Sequence, residues 1–371
     1  MTRLKLSTSR TFSSLTVRNY RLYFKGQFVS MTGTWMQSLA QGWLVLRLTH
    51  NNASALGLVV ALQFLPMLFM GAWGGVLADR FDKRRILILT QTFMAVIAAG
   101  LAAVTIGGVV TLWMVYLASL LTGFATAFDN PARQAFVSEM VGPEALPNAV
   151  GLNSAMFNAA RIFGPALGGL LISVVDIGPC FAYNALSYSA MIVALAMMRP
   201  DELLRSTPLV RKKGQIKDGF RYAWRTPELR TPLIVIAVVG TLALNFTVVL
   251  PVYAKVTFHG GAGTFGVLTS LMGLGSMVGA LFTANRKPTP LLVAGSCVAF
   301  GALMTLAAVA PILAVAGAVL LVMGIASMTF MAVTNTTLQL ASDPNMRGRV
   351  MALYGILFLG STPIGGPVVG W

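Results

Sequence analysis

The chain has 371 residues, 56% of them hydrophobic and 10% charged, with a formal net charge of +16 at pH 7. Apolar runs of about twenty residues, the length that a helix needs to cross a bilayer, recur along it. This pattern excludes a soluble globular protein and predicts an all-α integral membrane protein with many spans.

Eleven membrane spans are predicted in chain order. They cover residues 22–47, 53–78, 86–107, 111–132, 147–173, 178–198, 232–257, 264–284, 289–309, 312–335 and 350–371. The N-terminal tail is basic and has no apolar run, so it predicts a cytoplasmic segment rather than a secretory signal. We expect the tail and a six-helix bundle in residues 1–200, a cytoplasmic linker in 201–230 and a C-terminal bundle in 231–371.

The Lys and Arg residues predict the orientation of the spans. If the amino terminus is cytoplasmic, 27 Lys and Arg residues fall in cytoplasmic segments with three exceptions, which are Arg47, Arg161 and Lys255. This is the positive-inside distribution, and it makes the odd-numbered spans run outward. The net charge therefore predicts topology and contact with anionic membrane lipid, not a nucleic-acid partner.

The two halves of the chain resemble each other. The stretch "LTHNNASALGLV" (48–59) follows the first span and "TFHGGAGTFGVL" (257–268) follows the seventh, which pairs His50 with His259 and Gly57 with Gly266. Weaker sequence similarities relate residues 130–134 to 335–339 and residues 164–168 to 366–370. We expect two six-helix bundles related as parallel repeats, with a cavity that opens alternately to each side of the membrane. By this pattern the second bundle is incomplete, with five spans.

A polar stripe follows one face of the first span. Its members are three or four residues apart, and they are Gln27, Ser30, Thr34, Gln37 and Gln41. The stripe either lines a substrate cavity or hydrogen-bonds to neighbouring helices as packing. Asn158 in the fifth span and Asn245 in the seventh are further candidates for the cavity wall.

Two charged residues fall within predicted spans. Arg161 lies about 20 Å from the cytoplasmic end of the fifth span, where a guanidinium needs a partner. It binds either an anionic group of a substrate or nearby Asn side chains and backbone carbonyls. Asp129 in the fourth span is the expected proton carrier if transport is proton-coupled. Alternatively, it caps a helix that restarts at Pro131.

The stretch "GGVLADRFDKRR" (74–85) concentrates charge after the second span. Its bases hold the loop in the cytoplasm, whereas its glycines allow a neighbouring helix to approach. A carboxylate there caps a helix that starts on the cytoplasmic side, and the eleventh span starts there. We therefore predict a conformational latch between the halves, formed by Gly75, Asp79, Arg80 and Arg84.

The stretch "FGPALGG" (163–169) places small residues and a proline within the fifth span. It predicts a close helix contact and a bend, at Gly164, Pro165, Gly168 and Gly169.

These motifs resemble a known family. "GGVLADRFDKRR" is similar to the signature loop of the major facilitator superfamily, with Asp82 where the family usually has a second glycine. "RIFGPALGG" (161–169) resembles the fifth-span motif of its antiporters. "GTWMQSLAQGWLVLRLT" and "NPARQAFVSEMVG" resemble the transmembrane secretion effector branch, which includes enterobactin exporters and macrolide-efflux-like proteins.

The resemblance implies a major facilitator fold and a secondary active transporter. Its expected activity is proton-coupled export of a small amphipathic molecule, siderophore or drug-like, from a bacterial inner membrane. A solute importer of the same fold and a non-transporting receptor or scaffold are the alternatives. No nucleotide-binding glycine loop, nucleophile motif or metal-ligand spacing is present in the sequence, so we expect no enzyme, cofactor or metal. The expected partners are the substrate, protons and membrane lipid, and the expected state is a monomer.

Overall fold

The computed structural model describes residues 12–204, 215–284, 286, 288–343 and 346–371. The helices of this part are α1 (Arg18–Leu48), α2 (Ala53–Arg80), α3 (Lys83–Ile106), α4 (Leu112–Val174), α5 (Gly178–Ala196), α6 (Gln215–Arg225), α7 (Pro227–Leu242), α8 (Phe246–Val252), α9 (Ala262–Ala284), α10 (Pro290–Ala308), α11 (Leu313–Ala341), α12 (Arg347–Gly360) and α13 (Thr362–Gly370). Most of the predicted N-terminal tail, and residues 205–214 of the predicted linker, lie outside the described residues.

The prediction of about eleven spans in an all-helical membrane protein is confirmed. Among the described residues, nine helical runs are long and apolar enough to cross a membrane. The run of α4 holds two predicted spans, because Gly142 (φ 72°) divides it into a first limb (112–141) and a second limb (143–174). Helix α1, which carries the polar stripe, is not one of the nine but covers the first predicted span.

The first limb of α4 extends beyond its predicted end. The sequence placed residues 133–146 in a loop, but the helix continues through Pro131 as far as Gly142. A proline removes one hydrogen bond from a helix and crowds the preceding turn, yet the helix continues where tertiary packing holds it. The alternative in which Asp129 caps a helix that restarts at Pro131 is therefore wrong.

The chain packs into two compact units. Unit 1 holds the described parts of Met1–Gln41 and Phe69–Val210, and unit 2 holds those of Gly42–Leu68 and Arg211–Trp371. In unit 1, α3 packs along α4 and α5. In unit 2, α11 packs along both α9 and α10, and α12 packs against α6 and α7. Helices α1 and α2 each contribute residues to both units.

The repeated loops share an uncommon backbone conformation. His50 follows α1 with φ 53°, and its sequence counterpart His259 follows the π-helical turn Tyr253–Thr257 with φ 49°. Few residues other than glycine adopt positive φ values. The same turn at paired positions supports the internal repeat that the sequence indicates.

Candidate functional site

Four residues of the polar stripe are buried and joined to other helices of unit 1. Gln27, Ser30, Gln37 and Gln41 hydrogen-bond to Arg133, Gln91, Asn184 and Ser119, respectively. The last three bonds measure 3.2, 2.7 and 2.7 Å. For these four side chains the structure supports the packing interpretation over a cavity wall. Thr34 is the exposed member of the stripe, and its hydroxyl donates to the Ser30 carbonyl of its own helix at 2.9 Å.

A buried ion pair lies beside this stripe, in the first limb of α4. The Asp129 carboxylate accepts hydrogen bonds from Arg133 Nε at 2.7 Å and Nη2 at 2.5 Å. Its other oxygen accepts from Thr90 Oγ1 at 2.7 Å and Gln91 Nε2 at 3.0 Å, both on α3. The Arg133 guanidinium also donates to Gln27 of α1. The network thus links the charge of Asp129 to α1, α3 and α4.

Arg133 corrects one part of the sequence interpretation. It was expected in a cytoplasmic loop after the fourth span, but it lies within α4, four residues after Asp129. Because the two residues are one helical turn apart, their side chains share a face of the helix and meet. That i,i+4 spacing was the signal by which the sequence could have revealed the pair.

The charged loop between α2 and α3 contributes a second buried pair. Lys83 Nζ lies 2.6 Å from Glu139 Oε1, and both side chains are 8% exposed. The sequence assigned Lys83 to the cytoplasm as a charge that sets topology, and it did not single out Glu139. A buried charge is strongly destabilising without its counter-charge, so each member of this pair needs the other. Lys83 therefore has a structural role in addition to its effect on membrane topology.

Other bases and acids of the loop complete helix ends. Asp82, at the position where the family usually has glycine, accepts a hydrogen bond from the Arg85 N–H at 3.1 Å and so caps α3. Arg84 donates to the carbonyls of Leu195 and Ala196 at 2.6 and 3.0 Å, at the carboxyl end of α5. A cation there complements the negative end of the helix dipole.

The glycine of this loop that packs closely is Gly74. A Cβ placed on Gly74 would collide with the carbonyl oxygen of Ala127. That carbonyl lies four residues before Pro131, which has no N–H to donate to it. The predicted latch residue Gly75 is half-buried one position later. The predicted contact of Asp79 with the start of the eleventh span stays a prediction.

The "FGPALGG" stretch brings α1 against the second limb of α4. A Cβ on Gly164 would lie 2.5 Å from Trp35 Cβ and 2.8 Å from the Thr32 carbonyl oxygen, and one on Gly168 would lie 3.0 Å from Met36 Cγ. Pro165 and Gly169 are also buried, and the helix continues through both. Glycine thus lets the two backbones approach closely, as the sequence predicts.

This close approach places an aromatic and cationic cluster on one face of α4. Phe157, Arg161, Gly164 and Gly168 are spaced by one helical turn, and Trp35 of α1 packs against this row. The Trp35 and Phe157 rings meet edge to face with centroids 5.7 Å apart. The Arg161 guanidinium carbon lies 5.8 Å from the Trp35 ring centroid, within the range of a cation–π interaction.

Arg161 has no carboxylate partner within the described residues. None of their ion pairs includes it, and its aromatic contact is Trp35. Asn158, suggested as its partner, instead donates to the Ser154 carbonyl of its own helix at 2.9 Å. Phe157 is 41% exposed and Arg161 is partly exposed.

Asn245 belongs to unit 2, whereas the Arg161 cluster belongs to unit 1. It stands between α7 and α8, is 2% exposed, and donates to the Thr241 carbonyl at 2.7 Å. Its Oδ1 has no hydrogen-bond partner among the described residues. In this structure Asn245 stabilises the break between two helices.

Comparison with known proteins identifies the family. The family model described as "Transmembrane secretion effector" matches residues 9–371. The chain belongs to the transmembrane secretion effector family. The resemblance of "GTWMQSLAQGWLVLRLT" and "NPARQAFVSEMVG" to this family is thereby confirmed.

The relatives in the family are named as transporters and efflux pumps, not as enzymes. The staphyloferrin A transporter of Staphylococcus aureus is 25% identical over 268 residues, 70% of this chain and 66% of the relative. The chain thus spans slightly less than two thirds of that relative's length. The multidrug efflux pump Tap of Mycolicibacterium fortuitum is 26% identical over 352 residues, 90% of this chain and 84% of the relative.

Solved structures show the same fold. A bacterial homologue of the human lysosomal transporter Spinster, in an inward-facing and unoccupied conformation, aligns with a TM-score of 0.68 and 16% sequence identity. The alignment covers 95% of this chain and 81% of the homologue. The expected major facilitator fold is confirmed.

Proposed function

We propose that this protein is a secondary active exporter that moves a small amphipathic molecule, siderophore or drug-like, outward by alternating access. The family and the names of the relatives support transport, and those names include efflux of drugs. The proposed protein is a monomer of the bacterial inner membrane with a cytoplasmic amino terminus, as its distribution of Lys and Arg predicts.

The observation that carries this proposal is the Arg161 cluster. A guanidinium within a span is costly unless it has a partner or serves a ligand, and Arg161 has no carboxylate partner in the described part of the chain. The rings of Trp35 and Phe157 offer apolar surface beside it. This combination suits a molecule with an anionic group next to a ring or chain. Thr34 adds an exposed hydroxyl on α1.

We propose proton antiport, with Asp129 as the carrier. Protonation would remove the charge that holds Arg133 at 2.5 Å. Because Arg133 also donates to Gln27 on α1, the change would reach the helix that carries Trp35. Proton uptake and the position of α1 would in this way be coupled through one buried network.

The test has two steps: the exported molecule is identified first, and its transport by Arg161 variants is measured second. Metabolite profiling of the medium from cells with and without the gene names the exported molecule, which is then followed in everted vesicles. Arg161→Ala should reduce its transport strongly, and Arg161→Lys should retain part of it because the positive charge remains. Arg230→Ala, an exposed cation of unit 2, is the matched control. Unchanged transport by well-folded Arg161→Ala would remove Arg161 from the substrate site.

Proton coupling has a separate readout in the same vesicles. Asp129→Asn should abolish substrate-driven proton movement while substrate binding persists, because neither Arg161 nor Trp35 is replaced. Thr126→Val, which removes a hydroxyl that donates to the Thr122 carbonyl of its own helix at 2.8 Å, should leave proton movement intact. If Asp129→Asn still moves protons on addition of substrate, the carrier lies elsewhere.

A further inference from the structure

Helix α6 differs from every span because it is too short to cross a membrane. Its eleven residues reach about 16 Å, against about 30 Å of hydrocarbon. One face of α6 packs against other helices of unit 2. Ala223 is buried in a cluster with residues of α7, α11 and α12, and Tyr222 packs against the same cluster. The Tyr222 hydroxyl also accepts a hydrogen bond from the Asp343 N–H at 3.2 Å.

The opposite face of α6 is apolar and basic, and none of the described residues covers it. Phe220 and Trp224 are 55% and 53% exposed, and their rings stack with centroids 5.6 Å apart. Arg221 and Arg225, also exposed, follow each ring by one residue. These four side chains line a shallow cavity of about 260 Å³. Within the described residues, neither arginine forms an ion pair with an acid.

Each part of this surface matches one layer of a membrane leaflet. Aromatic rings, tryptophan above all, settle at the boundary between hydrocarbon and headgroups. Guanidinium groups form bidentate hydrogen bonds with phosphate oxygens and are attracted to anionic lipid. A short helix with both on one face lies in the plane of the interface. The positive-inside distribution assigns that interface to the cytoplasmic leaflet.

We propose that this face of α6, formed by Phe220, Arg221, Trp224 and Arg225, binds anionic phospholipid. The two rings lie among the upper acyl chains, and the two guanidinium groups bind lipid phosphates. These residues belong to unit 2, whereas the Arg161 cluster belongs to unit 1. The proposed lipid site is independent of the direction of transport.

Quenching of Trp224 by brominated lipids tests the proposal on the whole protein. The signal of Trp224 is obtained as the difference between the wild type and Trp224→Phe in nanodiscs, because the chain has six tryptophans. Brominated phosphatidylglycerol and brominated phosphatidylcholine are compared in otherwise identical mixtures. We expect stronger quenching by the anionic lipid, with a preference that falls about fivefold for each arginine replaced by glutamine.

Matched variants distinguish a lipid site from general charge. Arg221→Gln/Arg225→Gln should lose the preference, Arg221→Lys/Arg225→Lys should keep most of it, and Arg230→Gln on the neighbouring α7 should keep all of it. Soluble glycerol phosphate should not alter the signal. Equal quenching of the wild type by both lipids, or no quenching by either, would overturn the proposal without reference to any variant. Competition by glycerol phosphate would also overturn the proposal, because it would indicate a site for soluble phosphate.

Discussion

Gly164→Ala should destabilise this protein although alanine is the better helix former. A methyl group at Gly164 would lie 2.5 Å from Trp35 Cβ and 2.8 Å from the Thr32 carbonyl oxygen. Neither atom is the mobile end of a side chain, so the two helices must move apart. Gly151, in the same limb of α4, is the matched control because nothing lies within 4 Å of its added methyl group.

The two variants should change the free energy of unfolding in opposite directions. Replacing glycine by alanine within a helix contributes about 1 kcal/mol of stability. At Gly164 this gain is opposed by an overpacking cost of about 1–3 kcal/mol. We therefore expect Gly151→Ala to be neutral or stabilising, and Gly164→Ala to be less stable than the wild type by up to about 2 kcal/mol.

Thermal unfolding in detergent measures the difference. In a Cys297→Ser background, reaction of the buried Cys180 with a thiol-sensitive dye reports the loss of packing in unit 1. A difference of 1 kcal/mol corresponds to a shift in Tm of about 2–4 °C for a unit of this size. Gly164→Ala should also weaken substrate binding, since Trp35 moves away from Arg161. If both alanine variants raise the Tm equally, the close contact of α1 with α4 is not as described.

Two further predictions concern the buried ion pairs. Asp129→Asn should cost about 3–5 kcal/mol because it leaves the Arg133 guanidinium buried without its counter-charge, whereas Asp129→Asn/Arg133→Gln should cost less. The same thermal assay checks this, and a double variant no more stable than the single one would contradict it. Lys83→Met should likewise destabilise more than Lys83→Met/Glu139→Met, and a double-mutant cycle should give a coupling energy of about 0.5–3 kcal/mol. Independent, additive effects would show that the pair at 2.6 Å contributes nothing to stability.

The spans were predictable because the signal for a membrane helix is local. About twenty apolar residues suffice, whatever the rest of the chain does. The close contact at "FGPALGG" was predictable for a similar reason, since small residues at one-turn spacing are useful only where backbones meet. The partner of that contact was not predictable, because nothing in residues 163–169 specifies Trp35.

The polar stripe of α1 shows that a local sequence pattern does not predict what a helix face contacts. Its periodicity placed Gln27, Gln37 and Gln41 on one face of α1, and this was correct. Periodicity does not say whether that face meets water or other helices. The choice depends on Arg133, Asn184 and Ser119, which come from α4 and α5 and are 78 to 147 residues away in the chain.

The sequence by itself determined the membrane class, the number of spans, the internal repeat and the family. These follow from hydropathy, charge asymmetry and short motifs, which act over a few residues. Only the tertiary structure decided which charges are buried in pairs and which have no paired acid among the described residues. Lys83 resembles its neighbouring bases in sequence, yet it pairs with Glu139, whereas Arg161 lies over Trp35 with no acid beside it in the described chain. The reason is physical: the state of a charge in a membrane protein depends on its nearest neighbours in space, and helix packing alone brings them together.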